Sequence, residues 1–338
     1  MNSNIPYGAD DSGLVCGYLF KPGAALGELI DSTRAADWLA RPEGERSGFA
    51  WLHFNLTYSG AQPWLDRHAG LSATFFEMLK EGLHSTRIER FEQSLIAVVN
   101  DVRFEFSFEP SDLATLWINV DRTLVVTARR QPLRSVDRLR MAVNAGEAVR
   151  STVDLLEHLL RYQADVLVGI VRDVTTRVDD TEDDLLAGKL DHKRVKLGRL
   201  RRLLVRLQRL LAPEPAALFR LLQHPPAWAS DADVEELRGS TEEFSVALRD
   251  MSALQERIKL LQEEIAAEVA EQNGRSLFVL TVVTVMALPI NIVAGLLGMN
   301  VGGVPLAAHP HGFWIVVGVI AGVTSLVAWW ARRRRPDR

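Results

Sequence analysis

Between Arg275 and Arg332 the chain contains no Asp, Glu, Lys or Arg. So long a stretch without charge does not belong to the surface of a soluble domain. Residues 276–297 are long enough to cross a bilayer, and 313–330 lie near the lower limit, since a spanning helix needs about 20 apolar residues, range about 17–25. The chain is therefore expected to end in a two-helix membrane hairpin with a short Gly-rich link. Cysteine is almost missing as well. A single residue, Cys16, excludes an intramolecular disulfide and fits a reducing compartment. Residues 1–13 have no basic start followed by an apolar core, so no signal peptide is expected. There is no excess of positive charge: 39 Lys and Arg against 43 Asp and Glu leave a net −4, which does not suggest a nucleic-acid partner. No nucleophile–base set, phosphate loop or paired-carboxylate constellation stands out, so neither an enzyme nor a resident cofactor is expected.

Charge sets the expected orientation. Arg332, Arg333, Arg334 and Arg335 directly follow the second span, and the link between the spans carries no Lys or Arg. By the positive-inside rule the basic tail (332–338) is cytoplasmic and the link is outside. With one hairpin only, the large N-terminal region is then cytoplasmic too.

The N-terminal region (1–140) alternates strand-like and helix-like pieces and reads as an α/β or α+β domain with a mostly antiparallel sheet. Residues 14–20 and 49–56 are apolar runs with aromatic content and read as strands. Residues 95–99 and 102–108, with Asn100-Asp101 between them, read as a hairpin. So do 115–120 and 123–128 around Asp121-Arg122, while 71–83 looks helical. Residues 141–230 are helical and highly charged. They hold an acidic knot, Asp179, Asp180, Glu182, Asp183 and Asp184, with Gly188 as a helix break beyond it and a basic stretch from Lys193 to Arg209. The knot reads either as a solvated helix tip or as a cluster that gathers cytoplasmic cations. His192 and His224 stand alone and read as structural or surface residues.

Over 231–275, with Asp231 or Asp233 as N-cap, Phe244, Leu248, Met251, Leu254, Ile258, Leu261, Ile265 and Val269 recur every three or four residues. That stripe suits helix-on-helix packing over many turns. The stripe alone also fits an ordinary long amphipathic helix packed on its own domain, but it leads without a break into the first span (276–297), which argues for a stalk continuous with the membrane helix.

The first span is not apolar all round. Thr284, Leu288, Asn291, Gly295 and Gly298 are separated by four, three, four and three residues, so they share one helical face. An amide such as Asn291 needs partners that lipid does not provide. Pro289 removes the hydrogen bond to the carbonyl of Val285. This face is either a packing face, where small and polar residues hold spans together, or the wall of a wet path. Two spans cannot enclose a pore, so conduction requires several copies around an axis. At the outer end, in a loop over 298–312, Asn300 either caps the helix or contributes a carbonyl to a ring that holds a hydrated cation. His309 and His311 flank Pro310; in an extended segment they would point the same way as an outer metal or proton site, and otherwise they are solvated loop residues.

Pro289 followed by Gly295-Leu296-Leu297-Gly298-Met299-Asn300, between two C-terminal spans, resembles the CorA superfamily of divalent-cation channels and transporters. The order of parts is similar along the whole chain: cytoplasmic α/β domain, charged helices, long helical stalk, first span, outer loop, second span (313–331) and basic tail. Val301-Gly302-Gly303-Val304-Pro305 is similar to the ZntB branch, associated with zinc, and 301–312 lacks the acidic residue typical of the magnesium branch. The resemblance implies a funnel-shaped homopentamer in the inner membrane that carries zinc, as cargo rather than cofactor, into the cytoplasm with proton coupling. It implies Gly298, Met299 and Asn300 as the selectivity motif and Thr284, Leu288, Asn291 and Gly295 as pore lining. Two other readings stay open: a magnesium or cobalt channel of the same architecture, and a membrane-tethered coiled-coil sensor that transports nothing.

Overall fold

A computed structural model describes residues 9–23, 26–81, 86–109, 112–187, 193–299 and 309–333. It divides into two compact units, Met1–Gln262 and Glu263–Arg338.

The first unit is built on a seven-stranded sheet. Its strands are β1 (Leu14–Phe20), β2 (Glu28–Ile30), β3 (Phe49–Asn55), β4 (Arg87–Phe91), β5 (Ser94–Val102), β6 (Leu113–Val120) and β7 (Leu124–Arg129), in the spatial order β2-β1-β3-β7-β6-β5-β4. Every neighbouring pair is antiparallel except β3 and β7, which run parallel. The five inner strands are nearly continuous apolar runs because both faces are covered, whereas the edge strands β2 and β4 are more exposed. Alternate residues point to opposite faces, so Trp51 and Val99 enter one core while Leu52 and Val98 enter the other. On one face lie α1 (Ser32–Leu39), α2 (Ala61–His68) and α3 (Ala73–Glu81), which supply Trp38, Leu65 and Phe75. On the other lie α4 (Arg134–Ala145), α5 (Thr152–Leu186) and α7 (Pro213–Gln223), which supply Leu139, Leu159 and Leu218. Helix α6 (Lys193–Leu211) precedes α7.

One expected hairpin is absent. Asn100 and Asp101 form no turn; β5 runs straight through them and pairs with β6 as Asn100 with Thr115 and Asp101 with Ala114. The reason is tertiary. Gln163 Nε2 donates to the Asn100 carbonyl at 2.7 Å. The Asp101 carboxylate accepts from the Ser135 backbone N–H and hydroxyl and from the Val102 N–H. Two buried polar residues are thus satisfied inside a strand by partners distant in sequence. The partner that does form a hairpin with β5 is β4, which the sequence reading lacks. The second expected hairpin is present, because its turn is chemically local: Asp121 Oδ1 accepts from the N–H groups of Thr123 and Leu124 at 2.8 and 2.7 Å.

The longest element is α8 (Asp231–Leu297), which continues through Pro289. Its cap is Ser230 rather than either aspartate. Ser230 Oγ accepts from the Asp233 N–H at 3.2 Å, and the Asp233 carboxylate accepts from the Ser230 N–H and hydroxyl, a reciprocal capping box. Within the first unit, Phe244, Leu248, Met251, Leu254, Ile258 and Leu261 are buried. The helix is fastened to α6 through Gln255 Nε2, which donates to Gln208 Oε1 at 2.8 Å. Further along, Val269 is exposed, so the apolar stripe loses cover before its last member. Helix α9 (Gly312–Arg333) completes the chain.

Candidate functional site

The second unit contains the end of α8 and all of α9, two helices long and apolar enough to cross a membrane, with mean hydropathies of 2.4 and 2.0 over their best windows. They pack side by side around a cavity of about 60 Å³. Val285, Met286, Pro289, Ile290 and Val293 of α8 line it against Val319, Ile320, Val323, Thr324 and Val327 of α9. Apart from Thr324 the lining is apolar, as expected for close packing in lipid, where dispersion rather than water exclusion holds helices together.

The polar and small residues of the first span do not take part in that packing. Thr284, Leu288, Asn291, Gly295 and Gly298 are all exposed, whereas the partly covered positions are Phe278, Val282, Met286, Ile290, Val293 and Leu297. At 3.6 residues per turn the two stripes lie on roughly opposite sides of the helix. The Thr284 hydroxyl satisfies itself by donating to the Leu280 carbonyl at 2.8 Å. At Gly295 an added Cβ would meet nothing within 4 Å among the described residues. Gly298 closes the helix with its N–H on the Ala294 carbonyl at 3.0 Å, and an added Cβ would come within 3.1 Å of that oxygen. Helix α9 therefore does not cover the Asn291 face, and its cover, whether protein or water, comes from outside the hairpin.

Met299 is exposed; Asn300, Gly188 and His192 lie outside the described residues. His309 and His311 are described, and they sit in a turn rather than an extended segment. The Gly312 N–H donates to the His309 carbonyl at 3.0 Å, and the His311 N–H donates to His309 Nδ1 at 3.2 Å. The rings still end close together, with centroids 6.2 Å apart, because the turn folds one over the other.

In the first unit the acidic knot lies on α5. Arg257 of α8 holds two of its members: Asp179 at 2.7 Å and Glu182 at a shorter contact. The basic partner is thus on α8, a pairing the sequence did not disclose, since 75 residues separate Glu182 from Arg257. Asp180 and Asp183 are exposed.

A mixed-sheet domain, a very long helix and a C-terminal apolar hairpin with an uncovered polar face describe a protein built to sit in a membrane. The comparisons specify the family. Residues 46–333 match the family described as CorA-like Mg2+ transporter protein, and the chain belongs to that family of divalent-cation transporters. It is 29% identical over 327 residues to the divalent cation transporter CmaX of Pseudomonas aeruginosa, covering 96% of this chain and 97% of that protein. It is 25% identical over 289 residues to the zinc transport protein ZntB of Yersinia pseudotuberculosis, covering 84% and 87%. The solved structure of full-length CmaX superposes with a TM-score of 0.79 at 28% identity, covering 96% of this chain and 98% of that one.

Proposed function

We propose that the protein carries zinc across the inner membrane into the cytoplasm as a homopentamer. In this reading the first span of each chain faces a central axis, and entry is coupled to protons. The observation that carries the proposal is the placement of Thr284, Leu288, Asn291, Gly295 and Gly298 opposite the α9 contact. An amide on that face is costly against lipid and well served by water or by its own copies around an axis. Asn300 then stands at the outer mouth as part of the Gly298-Met299-Asn300 motif, where carboxamide oxygens suit a hydrated divalent ion. Arg332 to Arg335 keep both termini in the cytoplasm by the positive-inside rule.

Three features support zinc as the cargo. The curated relatives include zinc transport proteins, and the outer loop over 301–312 has no carboxylate to concentrate magnesium. His309 and His311 add imidazoles, ligands that zinc accepts and magnesium does not favour. The family description, which names Mg2+, supports magnesium as the rival cargo.

The test is zinc uptake into liposomes that hold the purified protein, with and without an inward proton gradient. Uptake that rises with the gradient is expected. Gradient-independent zinc flux would make the protein a channel, and magnesium flux without zinc flux would replace the cargo. No flux of either ion would return the protein to a sensing role.

A further inference from the structure

The first unit holds a histidine-centred group of ligands remote in sequence from the transport motif. Asp154, Glu157 and His158 lie on one face at the start of α5, and one ligand atom from each falls within 4.8 Å of the others. All three are buried, with His158 8% exposed, Glu157 5% and Asp154 0%. Three oxygens converge on His158 Nδ1: the Asp154 carbonyl at 2.8 Å, Asp154 Oδ1 at 3.2 Å and Glu157 Oε2 at 3.0 Å. Two ligands each about 2.0 Å from a tetrahedral zinc ion lie roughly 3.3 Å apart, so the two carboxylate oxygens stand at about ligand spacing from Nδ1, and the three ligand atoms all lie within 4.8 Å of one another.

The surroundings aim the ligands. Asp154 Oδ2 accepts from the Arg150 N–H and guanidinium at 2.7 and 3.1 Å, and Oδ1, which faces the imidazole, also accepts from the Arg150 guanidinium at 3.4 Å. The Ser240 hydroxyl donates to Glu157 Oε1, and Oε2 faces the same spot with the Arg161 guanidinium 3.9 Å away. On the far side of the ring, His158 Nε2 meets Glu147 Oε1 at 3.1 Å, a carboxylate–histidine pairing that fixes ring orientation and raises ligand basicity. Glu147 is itself held by Arg161 at 2.8 Å and by the Tyr162 hydroxyl. Four carboxylates in this group (Glu147, Asp154, Glu157 and Glu236) face two guanidiniums (Arg150 and Arg161), an excess of two negative charges around the imidazole.

We propose that Asp154, Glu157 and His158 form a binding site for one zinc-class divalent cation in the first unit, with Glu147 as the outer partner of the imidazole. In the absence of an ion the same oxygens accept the proton of His158 Nδ1. The ion takes that proton's place. The site joins the segment before α5, α5 itself and, through Ser240 and Glu236, the start of α8. Occupancy would therefore bear on the anchoring of α8 within the first unit. Nothing in this inference depends on which ion the hairpin carries.

The test uses the full chain in detergent. After dialysis against a limiting concentration of free Zn2+, metal content is counted per chain for the native sequence, His158→Ala, Glu157→Gln and Glu147→Gln. Whatever His309 and His311 hold is common to all four and cancels. His158→Ala and Glu157→Gln are expected to lose one zinc per chain. Glu147→Gln should weaken binding roughly 10–100-fold, the usual cost of an outer-shell partner. Glu157→Gln preserves size and the Ser240 contact, so its melting in chelator should stay near native and separate lost binding from lost folding. Substitution with Co2+ should give tetrahedral d–d absorption that His158→Ala removes. Equal zinc content in the native chain and His158→Ala, or no such absorption in the native chain, would overturn the site and leave an imidazole held by ion pairs alone.

Discussion

The two units treat polar side chains in opposite ways. In the first, polar groups go inward and find partners within the chain. His53, Thr127 and Arg129 are all buried in the β3–β7 ladder, where Arg129 Nε donates to His53 Nε2 at 3.0 Å and Trp51 Nε1 donates to Thr127 Oγ1 at 2.9 Å. Burial, with help from Arg129, keeps that imidazole neutral and able to accept. In the second unit the polar residues go outward, and the inward face is apolar. A soluble domain is finished when its buried polar groups are satisfied. A lipid-embedded hairpin with an amide on its outer face is not finished until something else covers it.

The sharpest way to break this comparison is at the proposed selectivity motif. Asn300→Ala is expected to cut cation flux by at least about tenfold, equivalent to roughly 1.4 kcal/mol at the transition state, with assembly unchanged. Unaltered flux in a well-folded variant would remove the residue from the pathway. Next comes a matched pair one residue apart. Ile290→Asn puts an amide against α9, where an unsatisfied group costs several kcal/mol, so the yield of monodisperse protein should collapse. Asn291→Leu should leave yield intact and lower zinc flux. If Asn291→Leu proved the more destabilising of the two, the outward face would be a packing face rather than a path.

A smaller effect sharpens the soluble side. Glu214 is fully buried; Gln163 donates to its Oε2 at 3.1 Å, while its Oε1 has no partner. Burial, and then Asp101, push its pKa well above 4.5. For an acid shifted upward, folding favours the protonated form. That contribution is complete below the unfolded pKa and is lost as pH rises above it. Glu214→Gln should therefore raise the melting temperature at pH 8, on the order of 1–3 kcal/mol or roughly 2–4 °C for each, and change little at pH 4. An equal shift at both pH values would show that folding leaves the Glu214 pKa where it is in the unfolded chain. The smallest expected change is at the loop: replacing His309 and His311 together with Ala should weaken zinc uptake a few-fold or shift its pH dependence, read from uptake rates across pH. Identical zinc kinetics at every pH would discard the pair.

Much of the second unit was legible because its information is local. A charge-free window, a proline and a three-four spacing of polar residues need only helix geometry to become two spans and one distinct face. The Asp121-Arg122 turn was legible for the same reason. Asn100-Asp101 misled because the residues that satisfy them, Gln163 and Ser135, are far away in sequence and turn a turn-forming pair into the middle of a strand. The His158 group was invisible for a related reason. Glu157 and His158 are neighbours and Asp154 is one turn away, a common pattern on any charged helix; only burial beside Glu147 and Ser240 makes it a site.

By itself, then, the amino-acid order determined the membrane spans, the polar stripe and the strand-rich start, because hydrophobic length and period act within a few residues of chain. Tertiary structure alone decided that the stripe turns away from α9, that Arg257 holds the acidic knot and that β5 runs unbroken. Each of these depends on which distant side chain arrives to meet a charge, an amide or a gap, and pairing across tens of residues leaves no periodic trace in the sequence.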